Sequence, residues 1–254
     1  MTVTEALFLG VLQGVTEFLP ISSSGHLVVA ENLMGLDHRG IAFEVMVHLG
    51  TLMSILVVFR KDIVRLVTQI RLKDTRSYLR YLLYGTIPIA LAGGTLRTRI
   101  EPLFENLAVV GVAFLITGTV LILTRVIRSG ARRLNGQVSV LVGLAQAVSL
   151  VPGVSRSGLT IGTGMIAGLP SGEAARFSFL LAVPALMGSG ALLLGDFLRA
   201  ASDSGSVAVL VTGFLSSFAA GLVALKVLLR ILLGGNFHWF GVYCLVLGTV
   251  ILGT

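Results

Sequence analysis

The segment QGVTEFLPISSSGH, residues 13 to 26, gathers the carboxylate of Glu17, the hydroxyls of Thr16, Ser22, Ser23 and Ser24, and the imidazole of His26. A second segment, VPGVSRSGLT, residues 151 to 160, sets Arg156 between Ser155 and Ser157, with Gly153 and Gly158 beside them and Thr160 at the end. A serine-rich turn that opens a helix offers backbone N–H groups at the positive end of the helix dipole, which suits phosphate. Arginine adds a planar fork matched to phosphate oxygens, and a carboxylate is a natural ligand for a hard divalent cation. The chemistry in view is the binding and transfer of a phosphoryl group. Each residue also has a plainer reading. Serine favours the first position of a helix for its capping bond, and an arginine near a membrane surface snorkels to headgroups.

The elements that position these residues lie in a membrane. Of 254 residues, 55% are hydrophobic and 12% charged, about half the charge of an average soluble domain. The 31 glycines suit helices that pack closely through small residues. The net charge of +7 does not point to nucleic acid, because the basic residues cluster between apolar runs, where they set topology and meet anionic lipid headgroups. The single cysteine, Cys244, sits within an apolar run and reads as filler. Residues 1 to 20 lack the basic flank of a cleavable signal, so they are expected to remain.

Six stretches are long and apolar enough to cross a bilayer as helices: about 41 to 59, 78 to 96, 106 to 124, 174 to 194, 207 to 229 and 237 to 253. Two further apolar regions, 3 to 36 and 138 to 169, are interrupted at Pro20 to Gly25 and at Pro152 to Gly158. Their arms are too short to span, so each is expected to form a re-entrant helical hairpin, a conformation tolerated at membrane depth only when buried in protein or lining a cavity.

The two interrupted regions align at a constant offset of 133 residues, matching Gly10 with Gly143, Gln13 with Gln146, Ser22 with Ser155, Ser24 with Ser157 and Gly25 with Gly158. Gly35-Leu36 and Gly168-Leu169 extend the match. The expected fold is therefore an all-α integral membrane protein with an inverted-topology repeat, each half a re-entrant helical hairpin plus three transmembrane helices. The chain forms one membrane domain, 1-254, with repeats at 1-127 and 134-254. Three spans per half oblige the second half to enter from the opposite side, so the broken helices meet near the midplane. At this offset Arg156 takes the place of Ser23, which sets the two facing each other across the pseudo-axis.

Arg60, Lys61, Arg65, Arg71, Lys73, Arg76 and Arg80 fall in one loop region, and Arg125, Arg128, Arg132 and Arg133 in another. Both are assigned to the cytoplasm, together with Lys226 and Arg230, against Arg39, Arg97, Arg99 and Arg199 outside. The first hairpin then opens outward. Glu44 and His48, four apart on one helical face, offer a further ligand or a simple structural pair. Gln13 and Gln146 either join the hairpins or contact substrate. Glu5 and Glu31 are weaker candidates, His38 belongs to a turn, and His238, Trp239 and Tyr243 read as an interfacial belt.

At its two breaks the chain resembles the undecaprenyl-diphosphate phosphatase family of bacterial membrane proteins, named also for bacitracin resistance. Gln13 and Glu17 followed by Pro20 to His26 match that family's first signature, and residues 152 to 160 are similar to its second. Some members carry glutamate where this chain has Gln13. The resemblance implies hydrolysis of undecaprenyl diphosphate to the monophosphate and inorganic phosphate, in a multi-pass protein of the bacterial plasma (inner) membrane; the charge bias sets its catalytic hairpin toward the periplasm. On this reading Ser23 attacks phosphorus, with Ser22 the alternative nucleophile, His26 acts as base or acid, Arg156 clamps the charge and Glu17 holds Mg2+ or Ca2+. Gln13, Ser22, Ser24, Gly25, Gly153, Ser155, Ser157 and Thr160 bind the substrate. Direct attack by water activated by Glu17 or His26 stands as the rival mechanism, and a flippase or transporter of lipid-linked phosphate as the rival function. Expected partners are the polyprenyl diphosphate, membrane lipids and, as an option, a second copy in a homodimer; nucleic acid is excluded.

Overall fold

The computed structural model describes residues 1–35, 40–100, 102–103, 106–126, 130–193 and 207–253. Expectations that fall on Leu36, the His38 turn, Arg128 and Arg199 lie outside the described residues. Within them the chain is helical, with α1 Val3–Phe18, α2 Ser23–Met34, α3 Ile41–Val58, α4 Arg60–Thr68, α5 Lys73–Ile100 and α6 Leu107–Val126 in the first half. The second half holds α7 Gly136–Val148, α8 Arg156–Ile166, α9 Ser171–Leu192, α10 Val207–Leu233 and α11 Trp239–Gly253.

The helices break where local chemistry requires it. Thr2 and Glu5 close a capping box at the start of α1, which accounts for Glu5 without any catalytic role. Leu19 precedes Pro20 and adopts an extended backbone (φ −62°, ψ 140°), as the clash with a proline ring demands. α1 thus ends at Phe18. With 16 and 12 residues, α1 and α2 rise only about 24 and 18 Å at 1.5 Å per residue, short of a hydrocarbon core of about 30 Å. With 13 and 11 residues, α7 and α8 are shorter still.

Among the described residues four helices, α3, α6, α9 and α10, are long and apolar enough to cross a membrane, which makes this a multi-pass membrane protein. Leu215, Val223 and Val246 turn more than half of their surface outward, a belt that suits lipid rather than water. The other two expected spans are helical but differ in kind. In α5, Pro88, tyrosines, threonines and glycines dilute the apolar run between charged ends, and α11, with 15 residues, is short. The basic region 60 to 80 is not a loop either, since it contains α4 and the first two turns of α5.

The main helix pairings repeat at the offset of 133. α2 then falls on α8 and α5 on α10, and α1 packs mainly on α10 as α7 packs on α5. Glycines set these distances: a Cβ on Gly14 would lie 2.5 Å from the Ser217 carbonyl oxygen, and one on Gly118 2.9 Å from that of Gly241. The equivalent helices α6 and α11 run antiparallel, because Gly111 packs on Leu252 while Gly118, two turns later, packs on Leu245. At the hairpin tips Gly25 abuts Gly153 while Gly158 abuts Pro20, and Gly25/Gly158 and Pro20/Gly153 are equivalent pairs. These paired contacts support the inverted-repeat reading.

Candidate active site

Gln13 and Glu17 stand one turn apart on α1, so both present to the same buried face. Gln13 Nε2 donates to Glu17 Oε2 at 3.0 Å, and the Ser23 hydroxyl donates to the same oxygen at 2.6 Å. Arg156 Nη2 pairs with the other carboxylate oxygen, Oε1. The Glu17 side chain is 5% exposed and that of Arg156 20%. Ser23 opens α2 and Arg156 opens α8, so the two helix starts converge on one carboxylate at the end of α1. His48 of α3 is near enough to interact electrostatically with Glu17.

The neighbouring serines hold the tips together. Ser22 Oγ accepts from Gly25 N–H at 3.2 Å and Ser155 Oγ from Gly158 N–H at 3.1 Å, the same cap in each repeat. Ser24 Oγ accepts from Gly153 N–H at 3.3 Å, and the Ser157 hydroxyl donates to the Leu19 carbonyl at 3.3 Å, so each hairpin also bonds the other. Ser22 has φ +67°, the only positive φ of a non-glycine among the described residues. Such a conformation persists where its surroundings over-determine it, here by the cap and the following helix. Thr160, expected against substrate, instead donates to the Arg156 carbonyl and meets Ser178 Oγ at 2.5 Å, buried between α8 and α9.

His26 departs most from expectation. Its Nδ1 lies 2.7 Å from the Ser22 carbonyl and its Nε2 2.7 Å from the Tyr243 hydroxyl, so both ring nitrogens are engaged away from the Ser23 hydroxyl. Tyr243, read from sequence as part of an interfacial belt, stacks its ring on His26 with centroids 5.8 Å apart. Cys244, read as filler, approaches the Pro20 carbonyl at 3.6 Å. Thr117, which the sequence did not single out, accepts from Ser155 N–H at 3.0 Å. These partners come from α6 and α11, and no motif spacing announces them.

For a cation, the hard donors at hand are the Glu17 carboxylate and Gln13 Oε1, which is buried without a hydrogen-bond partner. No cluster of three or more His, Cys, Asp or Glu suited to a metal occurs among the described residues. Two oxygen donors fit an ion that keeps waters and shares phosphate oxygens rather than a fully protein-ligated one. His48 Nδ1 bonds the Glu44 backbone carbonyl at 2.9 Å, which fixes the ring on the helix and leaves Nε2 as its other nitrogen. Gln146, the counterpart of Gln13, is fully buried with both amide atoms unpartnered. Its neighbour one turn on is Leu150, where the first repeat has Glu17.

Fold and site together define a multi-pass helical membrane protein with a largely buried Ser-Glu-Arg constellation, its carboxylate buried and its serine and arginine half-buried, where two broken hairpins meet. The chain belongs to the family described as bacitracin resistance protein BacA, whose model matches residues 6–250. It is similar to the undecaprenyl-diphosphatase of Korarchaeum cryptofilum, at 39% identity over 99% of both chains. It is also similar to that of Carboxydothermus hydrogenoformans, at 37% over 98% of this chain and 95% of the relative.

Proposed function

We propose that the protein hydrolyses undecaprenyl diphosphate to undecaprenyl phosphate and inorganic phosphate, the activity that its relatives' names state. One observation carries the mechanism: the Ser23 hydroxyl donates to Glu17 Oε2 while Arg156 holds Glu17 Oε1. A nucleophile bonded to a positioned base is the expected pairing for covalent catalysis. Glu17 rather than His26 is the base. Ser23 Oγ bonds the terminal phosphorus, its proton passes to Glu17 Oε2, and the bond from that phosphorus to the bridging oxygen breaks, releasing the lipid monophosphate. Glu17 passes that proton to the leaving phosphate, and the regenerated carboxylate deprotonates a water that attacks the phosphoserine; Ser23 Oγ takes this proton back as its bond to phosphorus breaks and inorganic phosphate leaves. The guanidinium has five N–H donors, enough to hold Glu17 and to clamp phosphate oxygens together. Phosphoryl transfer asks mainly for such positioning and charge neutralisation.

Glu17 and Gln13 Oε1 would hold Mg2+ or Ca2+, which supplies further neutralisation of the diphosphate charge. A flippase needs cationic residues to bind a lipid phosphate, but it has no use for a hydroxyl held on a carboxylate. The basic residues of 60 to 80 and 125 to 133 support a cytoplasmic placement of that face, with the first hairpin opening to the outer side of the plasma membrane. The direct test is phosphate release from a long-chain prenyl diphosphate by purified protein in neutral detergent, with and without chelator. Catalytic release that the chelator suppresses is expected. Absence of release by folded, metal-supplemented protein overturns the reading.

A further inference from the structure

The basic stretch between α3 and α5 takes no part in the site at the hairpin tips. Helix α4 leans on the core through Ile63 and Leu66, and its Asp62 pairs with Arg176 of α9. These contacts fix which face turns away. Val64 and Val67 are exposed, as are Ile70 and Leu72 just after the helix. Beside them, the turn into α5 and its first two turns enclose a groove of about 700 Å³ lined by Ile70, Lys73, Arg76, Ser77, Leu79 and Arg80.

None of the groove's lining residues is acidic, and three are cationic. Arg76 Nε donates to the Ile70 carbonyl at 3.3 Å and Arg80 Nη2 to Ser77 Oγ at 3.0 Å, so both guanidinium groups are tied to the wall. A topology signal needs positive charges anywhere in the segment; it does not need them converging on one cavity. Three like charges so close repel one another unless an anion sits among them. The volume falls in the range of small-molecule sites, and Ile70 and Leu79 give it apolar sides that a bare inorganic ion would not use. In a multi-pass membrane protein, an anion with an apolar body is at hand in the bilayer itself.

We propose that this groove binds an anionic phospholipid, its phosphate held by Lys73, Arg76, Arg80 and the Ser77 hydroxyl, and its acyl region along Ile70 and Leu79. The exposed valines of α4 make that helix an interfacial one, apolar residues toward the acyl boundary and cations toward headgroups.

The test titrates purified full-length protein in neutral detergent with phosphatidylglycerol or phosphatidylcholine and counts retained lipid by native mass spectrometry. Phosphatidylglycerol is expected to bind selectively, and a Lys73→Gln, Arg76→Gln, Arg80→Gln triple variant to bind it roughly a hundredfold more weakly. Each single variant should show a partial loss, which keeps the test valid if the triple variant fails to fold. A Lys61→Gln, Arg65→Gln variant, equally depleted of charge in α4, should retain binding. All of these should keep basal phosphate release, since none lies at the hairpin tips. Equal binding of both lipids, equal loss in the Lys61/Arg65 variant, or displacement of the lipid by millimolar inorganic phosphate each overturns the proposal.

Discussion

The Ser23 hydroxyl donates to Glu17 Oε2 at 2.6 Å, across the break that separates α1 from α2. The proline-induced turn brings a residue six positions later back onto the carboxylate, so nucleophile and base come from one hairpin and need no third element to meet. The same carboxylate takes Gln13 and Arg156, which fixes its rotamer from three directions.

Glu17→Gln should therefore abolish phosphate release, because an amide can still accept from Ser23 but cannot take its proton. It should also destabilise the protein by about 3 kcal/mol, since it leaves the largely buried Arg156 charge without its partner. Turnover and thermal midpoint in detergent measure the two effects separately. Retained turnover in folded Glu17→Gln protein removes Glu17 as the base.

Arg156→Lys keeps the charge and loses the fork. A fall of about a hundred to a thousandfold in kcat is expected, the usual cost of one preorganised charge stabiliser. Near-normal kcat in the lysine variant means that charge alone suffices and that the bidentate clamp is wrong.

What the sequence made legible was local. Pro20 and the serines mark the break, the offset of 133 pairs Ser22 with Ser155 and Arg156 with Ser23, and the Gln13-Glu17 spacing puts both on one face. What it hid was long-range. Tyr243 meets His26 across 217 positions, and nothing about an aromatic near a helix end separates that contact from an interfacial anchor. The basic run between 60 and 80 likewise concealed α4, because Lys and Arg at short spacing satisfy a cytoplasmic loop and an interfacial helix equally well.

Tyr243→Phe removes the hydroxyl at His26 Nε2 but leaves the stacked ring. A loss of about 1 kcal/mol in stability is expected, the net worth of one hydrogen bond, with less than a tenfold loss of rate. A rate loss as deep as that of Glu17→Gln would make the His26-Tyr243 pair part of the proton chemistry rather than a support for the tip.

Glycines line the closest contacts between helices. Gly14→Ala would drive a methyl group against the Ser217 carbonyl and Gly221 N, 2.5 and 2.9 Å away, and backbone cannot move aside as a flexible side chain can. A destabilisation of about 2 to 3 kcal/mol should follow. Gly93→Ala is the control, since nothing lies within 4 Å of its Cβ position, and it should stabilise α5 by up to about 1 kcal/mol. Equal effects at the two positions would show that α1 and α10 do not pack as closely as described.

The three serines of the first break divide by geometry, and the division can be measured. Ser23 alone among them bonds a carboxylate; Ser22 caps α2, and Ser24 accepts from the Gly153 N–H of the other hairpin. Ser23→Ala should abolish phosphate release and leave lipid diphosphate binding largely intact, because Arg156 and the helix starts remain. Ser22→Ala should lose the cap, about 1 kcal/mol, and keep the strained φ of +67°. Ser22→Gly loses the same cap yet tolerates that backbone, so it should be the more stable of the two. Ser24→Ala should loosen the contact between hairpins and lower the rate only in part. Phosphate release, binding and thermal midpoint of these four variants give the assignment. A Ser23→Ala protein that turns over normally excludes the phosphoserine and transfers the attack to a water activated by Glu17.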